Sequence, residues 1–521
     1  MYRLGVDVGG TNTDAALLDE SLQVVHTVKV PTTKDVESAI FEVIAKVVQE
    51  SGINRSEIKY AMIGSTHCTN AIVERKRLNK VGVIRIGKPA TTAIPPFVDW
   101  PQDLREEIEV ASTIVSGGYE FDGRLISQLN REEVSDFCRE IKGSVESIAI
   151  TGVFSPVNKE QEETVASWIK EELLDVSISL SSEIGSIGLL ERENATILNA
   201  ALMKTGQTVI NGFSKALTSH GIEAEMFFSQ NDGTLMNASY AFQHPIFMIG
   251  CGPTNSIRGS AHLSGLKDAI VLDVGGTTSD LGVLTKGFPR QSSLSVTIGG
   301  VNTNFRMPDI LSIGLGGGTR IFGREDQFTI GPESVGYEIT KKAFLFGGDV
   351  LTTSDVVTRL GHAFRDKLVQ VEHVSIEFCK KIYEKMTDML EDSIDQMKTS
   401  SKEVPLILSG GGSIIVSHSL KGVSEVIRPK HFEAANAIGA ALGQISGEVE
   451  KVYSLDGMSR EDAIHHAKTL ATEEAIKAGA NKDTISVVFV EDIPLSYLPG
   501  NALLIKVKVV GDLVHSCVKM M

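Results

Sequence analysis

The sequence is short of the features that mark secreted, membrane-spanning or nucleic-acid-binding chains. Its five cysteines, Cys68, Cys138, Cys251, Cys379 and Cys517, stand singly along 521 residues. No pair has Cys-x-x-Cys spacing, so neither a disulfide framework nor a cysteine zinc site is expected, and all five read as reduced thiols. No uninterrupted apolar run is long enough to cross a bilayer. The opening MYRLGVDVGG passes straight from apolar run to turn, leaving no room for a cleaved leader, so a soluble cytoplasmic protein without a membrane partner is expected. Positive charge is scarce as well, with 50 Lys and Arg against 66 Asp and Glu, a net charge of -16, and no long basic run. That balance argues against nucleic acid or an anionic membrane surface, and requires any phosphate ligand to be held by local donors.

What the sequence has is repetition. Gly5 to Leu18 read GVDVGGTNTDAALL, and Ile270 to Leu284 read IVLDVGGTTSDLGVL. Superposed, the two copies align Asp7 with Asp273 and Asp14 with Asp280. Each has the grammar of a β-hairpin: an apolar strand, a Gly-Gly turn, and an apolar return strand. Glycines at the turn let backbone N–H groups converge on an anion, and the hydroxyls of Thr11, Thr13, Thr277, Thr278 and Ser279 add donors. Carboxylates do not ligate phosphate, but each can hold a hydrated divalent cation that bridges to it. One copy alone is equally well a tight hairpin with Asp and Thr serving the turn. Two copies far apart in sequence favour a clamp around a nucleotide tail and its magnesium.

Around these copies the pattern is α/β. Apolar spacing predicts a helix from Asp35 to Glu50, a strand at Tyr60 to Ile63, a helix start at GSTHCTNAIVERKR, and a strand at Val81 to Ile86, all in one mixed sheet. The Pro-rich stretch Ala93 to Pro101 reads as a loop. A strand at Ser147 to Val153, a helix at Asn158 to Leu173 and a strand at Ser177 to Ser181 follow. A long proline-free helix over Ile187 to His220 suggests a crossing between lobes, giving a division into 1–186, 187–449 and a small α+β tail, 450–521. Asp309 to Thr319 and Leu406 to Ser413 are glycine-dense. Each alone is a flexible turn; beside two phosphate hairpins, Gly410, Gly411 and Gly412 are expected to approach a purine and ribose. Glu433 to Leu442 reads as a helix of small residues that permits close backbone approach.

The order of hairpin, linking helix, hairpin, Gly-Gly-Gly loop and small-residue helix resembles the superfamily of actin, sugar kinases and heat-shock chaperones. More closely, the chain resembles the hydantoinase/oxoprolinase family, specifically its hydantoinase A type subunit. The residues that carry the likeness are Gly5 to Asp14, Gly64-Ser65-Thr66 with Thr69-Asn70-Ala71 and Glu74-Arg75, Gly252-Pro253, Asp273 to Asp280, and Asp309 with Gly314 to Thr319. The resemblance implies two actin-like (ribonuclease H-like) lobes around a nucleotide cleft, ATP with Mg2+ or Mn2+, and ATP-driven opening of a cyclic amide such as a hydantoin or 5-oxoproline. It implies phosphate contacts from Gly9, Gly10, Thr11, Gly275, Gly276, Thr277 and Thr278, and further nucleotide contacts from Asn12, Thr13, Gly316, Gly317, Gly318 and Gly410 to Gly412. It also implies a metal held by Asp7 and Asp273, and chemistry at Asp14, Asp280 and Asp309. A second subunit of the hydantoinase B type is a partner the family suggests; a homo-oligomer stays open. Ile63 replaces the family's usual histidine, and His67-Cys68 stand where small or apolar residues are usual, which leaves the substrate open. His67 is then either a half-buried helix-start residue or a substrate or metal contact. A small-molecule kinase and a nucleotide-switched binding protein are the competing readings.

Overall fold

The computed structural model describes residues 1–521 except 33–35, 186, 293–295, 305 and 306, 325 and 326, 417 and 418, 497–500 and 514–521. The expected helix start at Asp35, the division point at Ser186, most of the loop between Leu495 and Asn501, and Cys517 lie outside the described residues. The four cysteines that are described, Cys68, Cys138, Cys251 and Cys379, are unpaired and buried.

Two β-sheets head the architecture, and each is built around one copy of the repeat. In the first, β1 (Tyr2–Val8) and β2 (Asn12–Leu18) form the hairpin, β3 (Val24–Pro31) continues it antiparallel, and β4 (Ile58–Ser65) runs parallel to β1. A parallel strand, β5 (Glu225–Ser229), follows β4. In the second sheet, β6 (Ala269–Val274) and β7 (Ser279–Thr285) form the hairpin and β8 (Ile310–Ile313) pairs antiparallel with β7. Strands β9 (Val404–Ser409) and β10 (Val423–Ile427) follow in parallel beside β6. The two sheets repeat one another strand for strand, which is the two-lobed actin-like α/β arrangement the repeat predicts.

Alternation along each hairpin sends side chains to two cores. Leu4, Val6, Val8, Ala15 and Leu17 point to the largest core, beneath α1 (Val36–Ser51). Ala16 and Leu18 point the other way, onto a short helix of small residues, Ala435–Ala441. In the second sheet Leu272, Val274 and Leu281 pack with the amphipathic helix Ile376–Met397, whereas Val271 and Leu284 pack with Ile257 of the helix Cys251–Ser264. Two of these helices, Cys251–Ser264 and Ala435–Ala441, line the cleft and join the lobes backbone to backbone. A Cβ on Gly439 would sit 1.8 Å from the Asn255 carbonyl oxygen, and one on Gly259 1.9 Å from that of Ala435. Only glycine admits that approach.

Strand pairing groups the chain differently from its linear division. The strand Val81–Lys88 does not join the first sheet. It lies in a separate four-stranded parallel sheet with Glu109–Ser116, Ser147–Gly152 and Ser177–Leu180. The 31-residue helix Leu189–Ser219 packs on this sheet and on α1, so it is sandwiched inside the first half of the molecule. The first lobe takes its fifth strand from beyond that helix. The tail strands Ser486–Pro494 and Leu503–Gly511 extend the same sheet through Ile445–Tyr453. Local periodicity identifies a strand but carries no information about which distant strand it pairs with. The stretch Asp309 to Thr319 likewise differs from a pure glycine loop, because Ile310 to Ile313 pair with β7 and only the remainder turns.

Candidate nucleotide site

Cross-strand register arranges the acids. In the first lobe Gly64, Asp7, Asp14 and Lys29 occupy one row across β4, β1, β2 and β3. In the second, Ser409, Asp273, Asp280 and Ser312 form the corresponding row across β9, β6, β7 and β8. Directly paired residues share a face, so each row presents its side chains together. Gly64 has no side chain because there is no room for one: a Cβ would lie 2.8 Å from Asp7 Oδ1 and 2.5 Å from Asn255 Nδ2.

The two turns meet. A Cβ on Gly276 would stand 3.6 Å from Thr11 Oγ1. Both turns close identically, with Gly9 N–H donating to the Asn12 carbonyl at 3.0 Å and Gly275 N–H to that of Thr278 at 2.9 Å. The N–H groups of Gly10, Thr11, Gly276 and Thr277 have no hydrogen-bond acceptor among the described residues. Converging unpaired N–H groups at glycine turns form a nest for an anion.

Burial dominates the electrostatics. Asp7 is pushed up to about 7 by burial first and then by the charges of Asp14 and Asp273, with the Asn436 amide, at 3.4 Å, opposing. Asp280 is pushed up to about 6 by burial, against a hydrogen bond from the Ser312 hydroxyl. Asp14 and Asp273 are raised by burial as well. Lys29 Nζ opposes the rise at Asp14 from 2.7 Å, and the side chains of Ser256, Ser409 and Asn436 oppose it at Asp273. Buried like charges of this kind are relieved by a cation. Among the described residues no three His, Cys, Asp or Glu side chains converge on one point to hold a metal unaided. Asp7 and Asp273 could instead hold a hydrated divalent cation, which would relieve the repulsion between their charges.

Other expected site residues sit elsewhere. Thr13 is buried, and its hydroxyl shares a hydrogen bond at 3.0 Å with that of Thr32, which donates in turn to the Gly9 carbonyl at 2.9 Å, so Thr13 braces the first turn from within. Gly316, Gly317 and Gly318 are buried behind the second turn: Gly317 N–H donates to the Gly275 carbonyl at 3.0 Å and Gly318 N–H to that of Gly276 at 2.7 Å. Gly316 N–H bonds Thr319 Oγ1. These three glycines buttress the turn. Gly410 and Gly412 press on the end of β6, and Gly411 stays exposed with open space at its Cβ position. Asp309 ion-pairs with Arg290 at 2.6 Å, beyond the Gly282–Ile310 pair and so removed from the Asp280–Ser312 row. Asn12 and Thr278 flank the two turns, the latter exposed.

His67 starts the helix His67–Glu74, its Nδ1 2.5 Å from Ser65 Oγ, and burial with Arg77 nearby lowers it to about 4. Cys68 and Cys251 lie close by, both thiols pushed up to about 12 by burial. Lys29, Asn436, Ser256 and Ser409 escaped the sequence reading. Lys29 carried a signal, since Val28 and Val30 flank it in a strand whose alternation puts it on the face of Asp14. Among the described residues no helix is long and apolar enough to cross a membrane.

The profile of the hydantoinase/oxoprolinase N-terminal region matches residues 3–173, and that of hydantoinase/oxoprolinase matches residues 192–369. Caprolactamase subunit alpha from Pseudomonas jessenii is 26% identical over 390 residues, 69% of this chain and 54% of that one. The chain spans about half the length of the curated relatives it matches. The crystal structure of the ATP-dependent caprolactamase from the same organism superposes with a TM-score of 0.77 at 18% identity, covering 99% of this chain and 88% of that one. A nucleotide-free acetone carboxylase structure gives 0.71 at 17% identity, with coverage of 99% and 88%. Both share the fold.

Proposed function

Since the chain belongs to the hydantoinase/oxoprolinase family, we propose that it binds ATP with magnesium between its two hairpins and uses it to open a cyclic amide. The observation that carries this reading is the pair of matched rows, each lying beside the Gly-Gly turn of its hairpin, with the two turns meeting at Gly276 and Thr11 and carrying N–H groups that have no acceptor among the described residues. An amide carbonyl is a poor electrophile. Phosphoryl transfer from ATP to its oxygen, with ADP released, makes the carbonyl carbon electrophilic; water adds there, the ring nitrogen leaves as the amine, and a second water frees phosphate from the resulting acyl phosphate.

The chain's own residues then have defined tasks. The N–H groups of Gly10, Thr11, Gly276 and Thr277 hold phosphate oxygens, and their fixed dipoles stabilise charge without reorganising. Asp7 and Asp273 hold the metal and its waters, Asn436 fixing the orientation of both carboxylates. Gly410 to Gly412 leave backbone surface for the adenosine. Asp280, raised by burial and bonded to Ser312, orients the nucleophile. Asp14 has Lys29 as its partner and is the weaker candidate for that task. The P. jessenii relative is named as a subunit; this chain likewise works with a second subunit of the hydantoinase B type.

The test is phosphate release from MgATP across hydantoin, 5-oxoproline and ε-caprolactam, with and without a hydantoinase B type subunit, and with products followed by mass spectrometry. Ring opening coupled to phosphate release is expected. A stable phosphorylated acceptor would make the protein a kinase, and nucleotide binding that no cyclic amide accelerates would make it a switch.

A further inference from the structure

The two rows differ at one end, and the difference is a charge. Where the second lobe closes its row with Ser312, the first closes with Lys29. The lysine is anchored by a single contact, Asp14 at 2.7 Å. An ammonium has three donors, and no other hydrogen-bond partner of Lys29 occurs among the described residues. The two partners are unequally covered, with the Lys29 side chain 37% exposed and that of Asp14 8%. Asp14 therefore holds the ammonium from one side, and the part-exposed lysine keeps its other donors without a partner among the described residues.

The field of Lys29 extends beyond its partner. It acts on Asp7 within its own row and on Asp273 across the cleft. Position fixes what it meets there. The Gly410 loop rests against Asp273 and Val274 of the second lobe, with a Cβ on Gly410 placed 2.4 Å from Asp273 Oδ1. A chain of contacts leads from that loop to the first lobe: Gly412 lies against Gly275, Gly276 against Thr11, and Asp14, three residues beyond Thr11, pairs with Lys29.

We propose that Lys29 binds the terminal phosphoryl group of the bound nucleotide, with Asp14 as the positioning residue that holds its ammonium in place. The assignment rests on the ATP reading above and names the residue that tells ATP from ADP. A compact cation at the terminal phosphoryl oxygens neutralises charge without using a further carboxylate, in a chain whose net charge is -16.

Calorimetric titration of the full chain with magnesium AMP-PNP and with magnesium ADP tests this without any cyclic amide. Lys29→Met keeps the stem and removes the charge. The expected result is a loss of about 10- to 100-fold in AMP-PNP affinity, with ADP affinity changed by less than about 3-fold. Lys29→Arg should recover part of the loss. Because Lys29→Met leaves Asp14 unpaired, the double variant Asp14→Asn with Lys29→Met serves as the control for folding and for simple neutralisation. Selective loss of AMP-PNP that persists in the double variant supports the assignment. Equal losses for both nucleotides, or a double variant with the parental AMP-PNP to ADP ratio, overturns it. If the parental protein binds neither nucleotide, the ATP reading itself falls and this inference with it.

Discussion

Replacing Asp7 by asparagine should stabilise the metal-free protein, and do so only where Asp7 would be charged. The carboxyl goes from an ordinary value of 3.8 to about 7 because it is buried beside Asp14 and Asp273. An acid raised by folding favours the folded state below its unfolded value, and that advantage is lost as pH rises through the folded value. Between about pH 4 and 7 the parental protein therefore loses roughly 4 kcal/mol at this group, since each unit corresponds to about 1.4 kcal/mol. The amide introduced by Asp7→Asn has no such loss and still offers Asn436 a carbonyl oxygen. If the 521 residues melt as one unit, the gain is about 4 °C at pH 8, shrinking toward zero near pH 4. Scanning calorimetry of both proteins in EDTA, at several pH values, measures the difference directly. Adding magnesium ATP should reverse the order, because the dication stabilises the carboxylate and has less to offer an amide. A variant that melts lower than the parent at every pH, with no trend, would refute the reasoning and make Asp7 a structural acceptor of the hairpin.

Three further outcomes are expected. Gly439→Ala puts a methyl 1.8 Å from the Asn255 carbonyl oxygen, so urea unfolding should show a loss of about 3 kcal/mol or more; a loss below about 1 kcal/mol would mean the two cleft-side helices slide apart freely. Asp309→Asn, with its carboxylate committed to Arg290, should leave ATP hydrolysis within about 3-fold of the parent, whereas a loss of about 100-fold would return Asp309 to the chemistry. His67 should stay neutral down to about pH 5, as its value of about 4 requires, and imidazole resonances titrating near 6.5 would show that it is not buried as described.

Much of this site could be read from the chain because it is local. Asp7 and Asp14, or Asp273 and Asp280, are separated by a turn of fixed length, so hairpin geometry alone puts them opposite each other. The free N–H groups follow from the same turns. What could not be read depends on pairing across long separations. Gly316 to Gly318 look like any glycine-rich anion loop, yet the donors of Gly317 and Gly318 are consumed by the carbonyls of Gly275 and Gly276. Val81–Lys88 is a good strand in sequence and pairs with Ser147–Gly152 instead of the first hairpin's sheet. Asn436 reaches Asp7 from a distance of 429 residues along the chain. The tail, too regular to be disordered, adds its two strands to the first hairpin's sheet by way of Ile445–Tyr453.

The close approach of Gly5 to Ala437, where a Cβ on the glycine would lie 2.1 Å from the carbonyl oxygen, sets an order of events during synthesis. The first hairpin leaves the ribosome well before the fifth strand of its sheet, which begins at Glu225, and before the helix that covers its cleft face, which begins at Ala435. At about 5–20 residues per second the hairpin waits some tens of seconds for that helix. The four-stranded parallel sheet ends at Leu180 and meets no such delay in its own strand pairing. Until the late helix arrives, Ala16 and Leu18 present apolar surface with nothing to cover it, and it is over this interval that a nascent chain is most exposed to chaperones and to aggregation.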